Sequence, residues 1–192
     1  MVAPFSYRRD AVRAAVLAFK HGGRADLAVP LARAMAGGLG AGGLGARGLG
    51  AGGLGAGGLG AGSMRLQGGG AALPGPGPFD LLVPVPSHLG RRLERGYDPA
   101  RRLTEALEVC GVGLSTPALK RTRATAPQGS AGAPGRRKNV RGAFRARARV
   151  RTSARVWLVD DVLTSGATAD ACARTLRAAG APRVDVLVLA RA

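Results

Sequence analysis

The chain has 192 residues, with 29 Lys and Arg against 11 Asp and Glu, a net charge of +18, and 46% hydrophobic but only 4% aromatic residues. That length admits one ordinary domain, or one with an appendage, and excludes two full ones; with 32 Gly and much of the apolar share in Ala, its core is expected to be lean. The charge predicts attraction to polyanions without saying which, and since 26 of the basic residues are Arg, a bias toward Arg, Ala and Gly would produce the same imbalance.

Val12, Ala15, Val16 and Phe19 recur at the spacing of one helix face, and His21-Gly22-Gly23 is a stop signal, so a first helix is expected over residues 7–20. Arg8, Arg9, Asp10, Arg13 and Lys20 interrupt the apolar run, which argues against a signal peptide and for a cytoplasmic protein. A second helix is expected over 26–36, with Leu27, Leu31 and Met35 four apart and Asp26 placed to cap it. From Gly37 to Gly62 a GGLGA unit repeats, broken once by Arg47. The entropy lost by ordering so much Gly exceeds what one Leu per unit returns, so residues 37–78 are read as a disordered insertion and not as a membrane span.

Phe79 to Pro86 has the length and ending of a buried strand. Ser87 to Asp98 reads as a loop with at most a helical turn, and Pro99 to Cys110 as a helix with Leu103 and Leu107 inward and Asp98 as its cap. No acidic residue occurs from Val109 through Val159, while Lys120 to Arg155 holds twelve basic ones. Val156 to Val159 is a short strand ending on Asp160-Asp161, a helix follows over Gly166 to Ala179 with Gly180 as its stop, and Val184 to Leu189 is a last strand. Strand, loop, helix, strand is a βαβ unit, so the fold class is α/β with a central, mostly parallel sheet flanked by helices. Residues 1–36 form a helical part of the domain, 37–78 the Gly-rich insertion and 79–192 the main body. Cys110 and Cys172 cannot build a disulfide framework, and with two His a structural zinc site is not expected.

In an open parallel sheet, ligands sit beyond the carboxyl ends of the strands. Here Asp160 and Asp161 leave a strand end side by side, placed to accept hydrogen bonds from vicinal hydroxyls or to lie near Mg²⁺. Thr164, Ser165, Gly166 and Thr168 then meet a helix start, whose amides and hydroxyls suit one phosphate monoester. Carboxylates for a ribose and amides for its 5′-phosphate describe a phosphorylated-ribose site.

The run from Val156 through Thr168, with Asp160, Asp161, Val162, Leu163, Thr164, Ser165, Gly166, Ala167 and Thr168 as its binding half, resembles the phosphoribosyl diphosphate (PRPP) signature of type I phosphoribosyltransferases. Asp80 to Pro86 with Arg91, Arg92, Arg95-Gly96-Tyr97-Asp98 is similar to the ComF family. So are Arg121, Arg123, Thr125, Pro127-Gln128, Arg136, Asn139-Val140 and Gly142-Ala143-Phe144, and Phe19 to Gly23 fits the same pattern. The resemblance covers nearly everything outside the Gly-rich tract. It implies a type I phosphoribosyltransferase-like fold, PRPP with Mg²⁺ as ligands, Asp160 and Asp161 as the catalytic pair, Arg91, Arg92 or Arg95 facing the diphosphate, and a mobile loop over Lys120 to Arg136 carrying Arg121, Arg123, Gln128 and Arg136. It also implies transfer of a phosphoribosyl group with release of diphosphate, and a link to DNA uptake in competence. The departures are the four-cysteine zinc module that many members carry ahead of this region and that is not seen here, which implies either a short form or a truncated start, Asp98 where Asn is common, Ser165 where Thr is common, and the long GGLGA tract.

A receiver domain also opens on Asp-Asp after a strand, but its later Asp and Lys have no counterparts in the 31 residues after Asp161. A dinucleotide fold lacks its G-x-G-x-x-G after a strand. A non-catalytic module for nucleotides or single-stranded DNA on the same fold remains the alternative, with the basic stretch holding a phosphate backbone.

Overall fold

A computed structural model describes residues 1–38, 76–123, 140–151 and 153–192. In chain order the elements are β1 (Phe5–Ser6), α1 (Asp10–His21), a 3-10 turn (Ala25–Leu27), α2 (Ala28–Gly38), β2 (Leu81–Pro84), α3 (Leu89–Arg95), α4 (Pro99–Val109), β3 (Leu114–Ser115), β4 (Leu119–Arg121), β5 (Phe144–Ala146), β6 (Val156–Leu163), α5 (Ala167–Ala178) and β7 (Val184–Arg191). Five strands form one sheet in the order β1-β7-β6-β2-β3, parallel throughout, and β4 and β5 form a separate antiparallel ladder. The α/β class with a central parallel sheet and flanking helices is therefore as the sequence predicts. Helix α2 runs two residues into the GGLGA tract, to Gly38, so the expected insertion does not begin at 37; residues 39–75 lie outside the described residues.

Register explains the two cores. Leu82 pairs with Trp157 and Val83 with Leu158, so side chains alternate between the sheet's faces along both strands. Leu82, Trp157 and Val159 pack with Val16 and Phe19 of α1, Met35 of α2 and Leu103 and Leu107 of α4. Val83, Val156 and Leu158 pack on the other face with Cys172 and Leu176 of α5 and with Leu119 and Phe144 of the small ladder. The central strands are covered on both faces and read as unbroken apolar runs for that reason.

Trp157 is wholly buried, and its indole N–H donates to Asp80 Oδ2 at 3.0 Å, while the Arg155 guanidinium lies 5.3 Å from the ring centre. Asp80→Ala strands that buried donor, so a loss of about 1–3 kcal/mol is expected by urea denaturation, and an unchanged midpoint would show that the bond contributes nothing.

Several boundaries differ from the sequence reading. Helix α1 starts at Asp10, three residues late, because Tyr7 stays with the sheet through its N–H to the Arg191 carbonyl, 2.9 Å. Asp26 does not cap α2; it sits in the 3-10 turn with its carboxylate held by Arg24 at 2.7 Å. Phe79 is 81% exposed and lies ahead of β2. Asp98 precedes α4 but makes no side-chain cap bond, its carboxylate being taken by Ser87. Strand β6 runs on to Leu163 because β7, itself extending to Arg191, pairs with it that far. Lys120 and Arg121, expected in a mobile loop, belong to a strand laddered against Arg145 and Phe144.

Candidate functional site

From β6 the chain crosses through α5 to β7 on one side, and from β2 through α3 and α4 to β3 on the other. The strand order therefore reverses between β6 and β2, the position where open parallel sheets leave a crevice at their carboxyl ends. The sequence opens it further. Strand β2 stops at Pro84, its last ladder bond is the Val85 N–H to the Val159 carbonyl, 2.9 Å, and Pro86 has no N–H to continue it. Beyond Val159, β6 keeps β7 on one edge and has the crevice on the other.

A cleft of about 670 Å³ occupies this place. One wall is the end of β6 and the start of α5, and all nine residues from Asp160 through Thr168 line it. The opposite wall is Val85 to His88 with Arg95, and the remaining sides bring in Tyr7, Lys20, His21, Glu94 and Arg121. Of the sequence-predicted basic residues, Arg95 and Arg121 reach the cleft. Arg91 and Arg92 lie on α3, and the Arg92 Nε is 3.9 Å from Asp98 Oδ2. Arg123 is turned to the Arg141 carbonyl at 2.7 Å. Gln128 and Arg136 lie outside the described residues.

Both aspartates lie within β6 and line the same cleft, with their side chains close enough to hydrogen-bond to each other. Because β6 continues through them, their Cβ atoms leave the strand on alternate sides, and the two carboxyl groups bend back toward each other. Asp161 follows Trp157 and Val159 toward α1, where its Oδ1 meets the Lys20 ammonium at 2.8 Å and accepts the Val162 N–H at 2.6 Å. Asp160 falls on the α5 side, with its Oδ1 accepting the Asp161 N–H at 2.9 Å. Burial pushes the Asp160 carboxyl well above the usual carboxylate range; the neighbouring Asp161 charge adds to this and Lys20 opposes it. Burial likewise pushes the Cys172 thiol up, with Asp160 adding to the effect and Arg121 opposing it, which makes this cysteine a packing residue and not a nucleophile.

Gly166 sits in the left-handed region at φ +72°, turning the chain from Ser165 into α5, a conformation that any side chain with a Cβ adopts at a cost. The first helical bond runs from the Asp170 N–H to the Gly166 carbonyl at 2.9 Å. The start of α5 stands at the positive end of the helix dipole beside the cleft.

The wall formed by β2's loop is held from below. Asp98, buried, accepts the Ser87 hydroxyl at 3.0 Å and the Ser87 N–H at 3.2 Å, and His88 Nδ1 accepts the Gly90 N–H at 3.2 Å to cap α3. The negative charge that distinguishes Asp98 from Asn is thus spent on a loop amide and on Arg92. Lys20, which lines the cleft and pairs with Asp161, is not among the site residues expected from the sequence. Its signal was present in the Phe19 to Gly23 run, which was read there only as a helix stop and a family mark.

No family model matches the chain. Competence protein F of Haemophilus influenzae is 34% identical over 119 residues, 59% of this chain and 51% of that protein. The chain is homologous to competence protein F. DNA utilization protein YhgH is 35% identical over 113 residues in Escherichia coli O157:H7 and 34% identical in Salmonella typhi, in each case over 58% of this chain and 49% of that protein. The ComF resemblance is borne out by these relatives, and the chain spans about half the length of each. Among solved structures, that of the allosteric regulatory enzyme of purine biosynthesis overlays with a TM-score of 0.35 and 23% identity over 57% of this chain and 21% of that one. No helix of the described residues is long and apolar enough to cross a membrane.

Proposed function

We propose that the cleft binds a phosphorylated ribose, with PRPP as the ligand that fits its two walls. The observation that carries this reading is the shared cleft itself: a glycine-turned helix start and two strand-end carboxylates meet at the point where the strand order reverses. The amides of Ser165 to Thr168 take the 5′-phosphate, and Asp160 and Asp161 take the ribose hydroxyls. The loop of Pro86 to His88 with Arg95 faces the diphosphate.

Among the described residues no three His, Cys, Asp or Glu side chains converge to hold an ion. The donor set therefore suits a Mg²⁺ carried mainly by the ligand's own diphosphate oxygens and touched by one or two carboxylates. When bound, that ion supplies charge neutralisation on the departing diphosphate. The chain's own part in a phosphoribosyl transfer is to fix the ribose through its hydroxyls and phosphate, to place Arg95 and Arg121 near the leaving group, and to exclude water from the reacting carbon. The names of the relatives support a role in DNA uptake or DNA use by competent cells.

Titration calorimetry with PRPP, with and without Mg²⁺, tests this reading. Saturable one-site binding that strengthens with Mg²⁺ is expected, and absence of heat under both conditions would overturn it. A second reading rests on the exposed Lys120, Arg123, Arg145, Arg147 and Arg149 of the small ladder and its flanks. There the chain holds a nucleotide or single-stranded DNA without turnover, and a salt-dependent DNA shift in a protein that ignores PRPP would select it.

A further inference from the structure

We propose that Lys20 is a positioning residue for Asp161, holding in place the carboxylate that a ribose meets; this rests on the ribose-phosphate reading above. The Lys20 ammonium and the Val162 N–H both bind Asp161 Oδ1, at 2.8 and 2.6 Å. Two donors on one oxygen restrain the rotation of the carboxylate that is to meet a ligand hydroxyl. The pair is almost enclosed on the aspartate side, at 7% exposure, and 26% exposed on the lysine side, where it borders the cleft. A bare carboxylate there would repel an incoming phosphate ester, and Lys20 cancels that charge in place.

The lysine is itself held. Phe19 is fully buried, and its carbonyl accepts the Tyr97 hydroxyl from the α3–α4 connection. Tyr97 follows Gly96, at φ +75°, and precedes Asp98, whose carboxylate carries the Ser87 loop. One continuous set of contacts thus joins the acidic end of β6 to the opposite wall through the end of α1. Helix α1 contributes a buried anchor and a reaching cation at adjacent positions, and that is the role the Phe19-Lys20 pair plays beyond stopping a helix.

The test uses the full chain with K20M, which keeps the aliphatic stem, alongside D161N and the double variant. K20Q provides the same comparison should K20M not fold. K20M is expected to weaken both ribose 5-phosphate and PRPP with Mg²⁺ by about ten-fold and by like factors, because the effect passes through the ribose-binding carboxylate. In the D161N background the same change is expected to cost less than about two-fold. Wild-type affinity in K20M, a loss confined to PRPP, or an equal loss in the D161N background would each overturn the assignment. Should the wild-type chain bind neither ligand, the ribose-phosphate reading fails separately, and unfolding of the same four proteins still decides the pairing. Non-additive shifts in the denaturation midpoint are expected, and additive ones would show that Lys20 does not hold Asp161.

Discussion

Replacing Asp160 and Asp161 together by Asn is expected to lower PRPP affinity by about a hundred-fold or more while leaving a folded protein. Each carboxylate bond to a hydroxyl is charge-assisted and worth about 1.5–3 kcal/mol, and two of them convert to roughly two to four powers of ten in Kd. Retained affinity would remove these residues from the site. The single variants separate function from stability. The Asp160 carboxyl lies above its ordinary range in the fold, chiefly through burial, whereas in the unfolded chain it ionises near pH 3.9. The folded state therefore binds more protons than the unfolded state in the window above pH 3.9, and stability contributed by the neutral acid is lost as pH rises through the folded value. Asp160→Asn removes that loss, so the variant should melt at or above the wild type at neutral pH, with the gap closing toward pH 4. A wild-type advantage at pH 7 would contradict this electrostatic account. Asp161→Asn lacks the same benefit because it leaves Lys20 opposite a neutral side chain.

Trp157→Ala is the substitution with the largest expected effect on stability. The ring is fully enclosed between α1, α2, α4 and the sheet, and removing a buried Trp costs about 3–5 kcal/mol through lost transfer energy and the cavity left behind. At about 2–4 °C per kcal/mol for a protein of this size, the melting temperature should fall by about 6–20 °C. Phe79→Ala is the matched control: its ring is 81% exposed, and a change within about 0.5 kcal/mol is expected. Equal effects at the two positions, read from the same urea titration, would mean that the core is not where the sheet register puts it.

Much of this was legible in the sequence, and the reason differs by element. Strands β2, β6 and β7 are covered on both faces, so their composition alone marks them; Gly166 and Gly180, both with positive φ, frame α5 because the chain turns there in ways other residues resist. The site turn was readable for the same reason, since its residues are contiguous and their chemistry does not depend on distant partners. What stayed hidden was set by partners far along the chain. Strands β1 and β3 are two residues each and exist only by pairing with β7 and β2. The small ladder places Leu119 and Phe144 inward, but one large apolar residue per three-residue strand is lost among the surrounding arginines. The extent of β6 past Val159 depends on the length of β7, and the placement of Asp160 and Asp161 within the strand depends in turn on that extent. Lys20 and Asp161 are 141 positions apart, and nothing local to either announces the pair.

The central claim is that a sugar phosphate seats on the start of α5. Backbone amide NMR shifts during titration with ribose 5-phosphate measure this directly. The amides of Ser165, Gly166, Ala167 and Thr168 are expected to move first and saturate together, with Asp161 and Val162 following on the same curve. Shifts confined to the arginines of the β4–β5 ladder, with the α5 start unmoved, would contradict the claim.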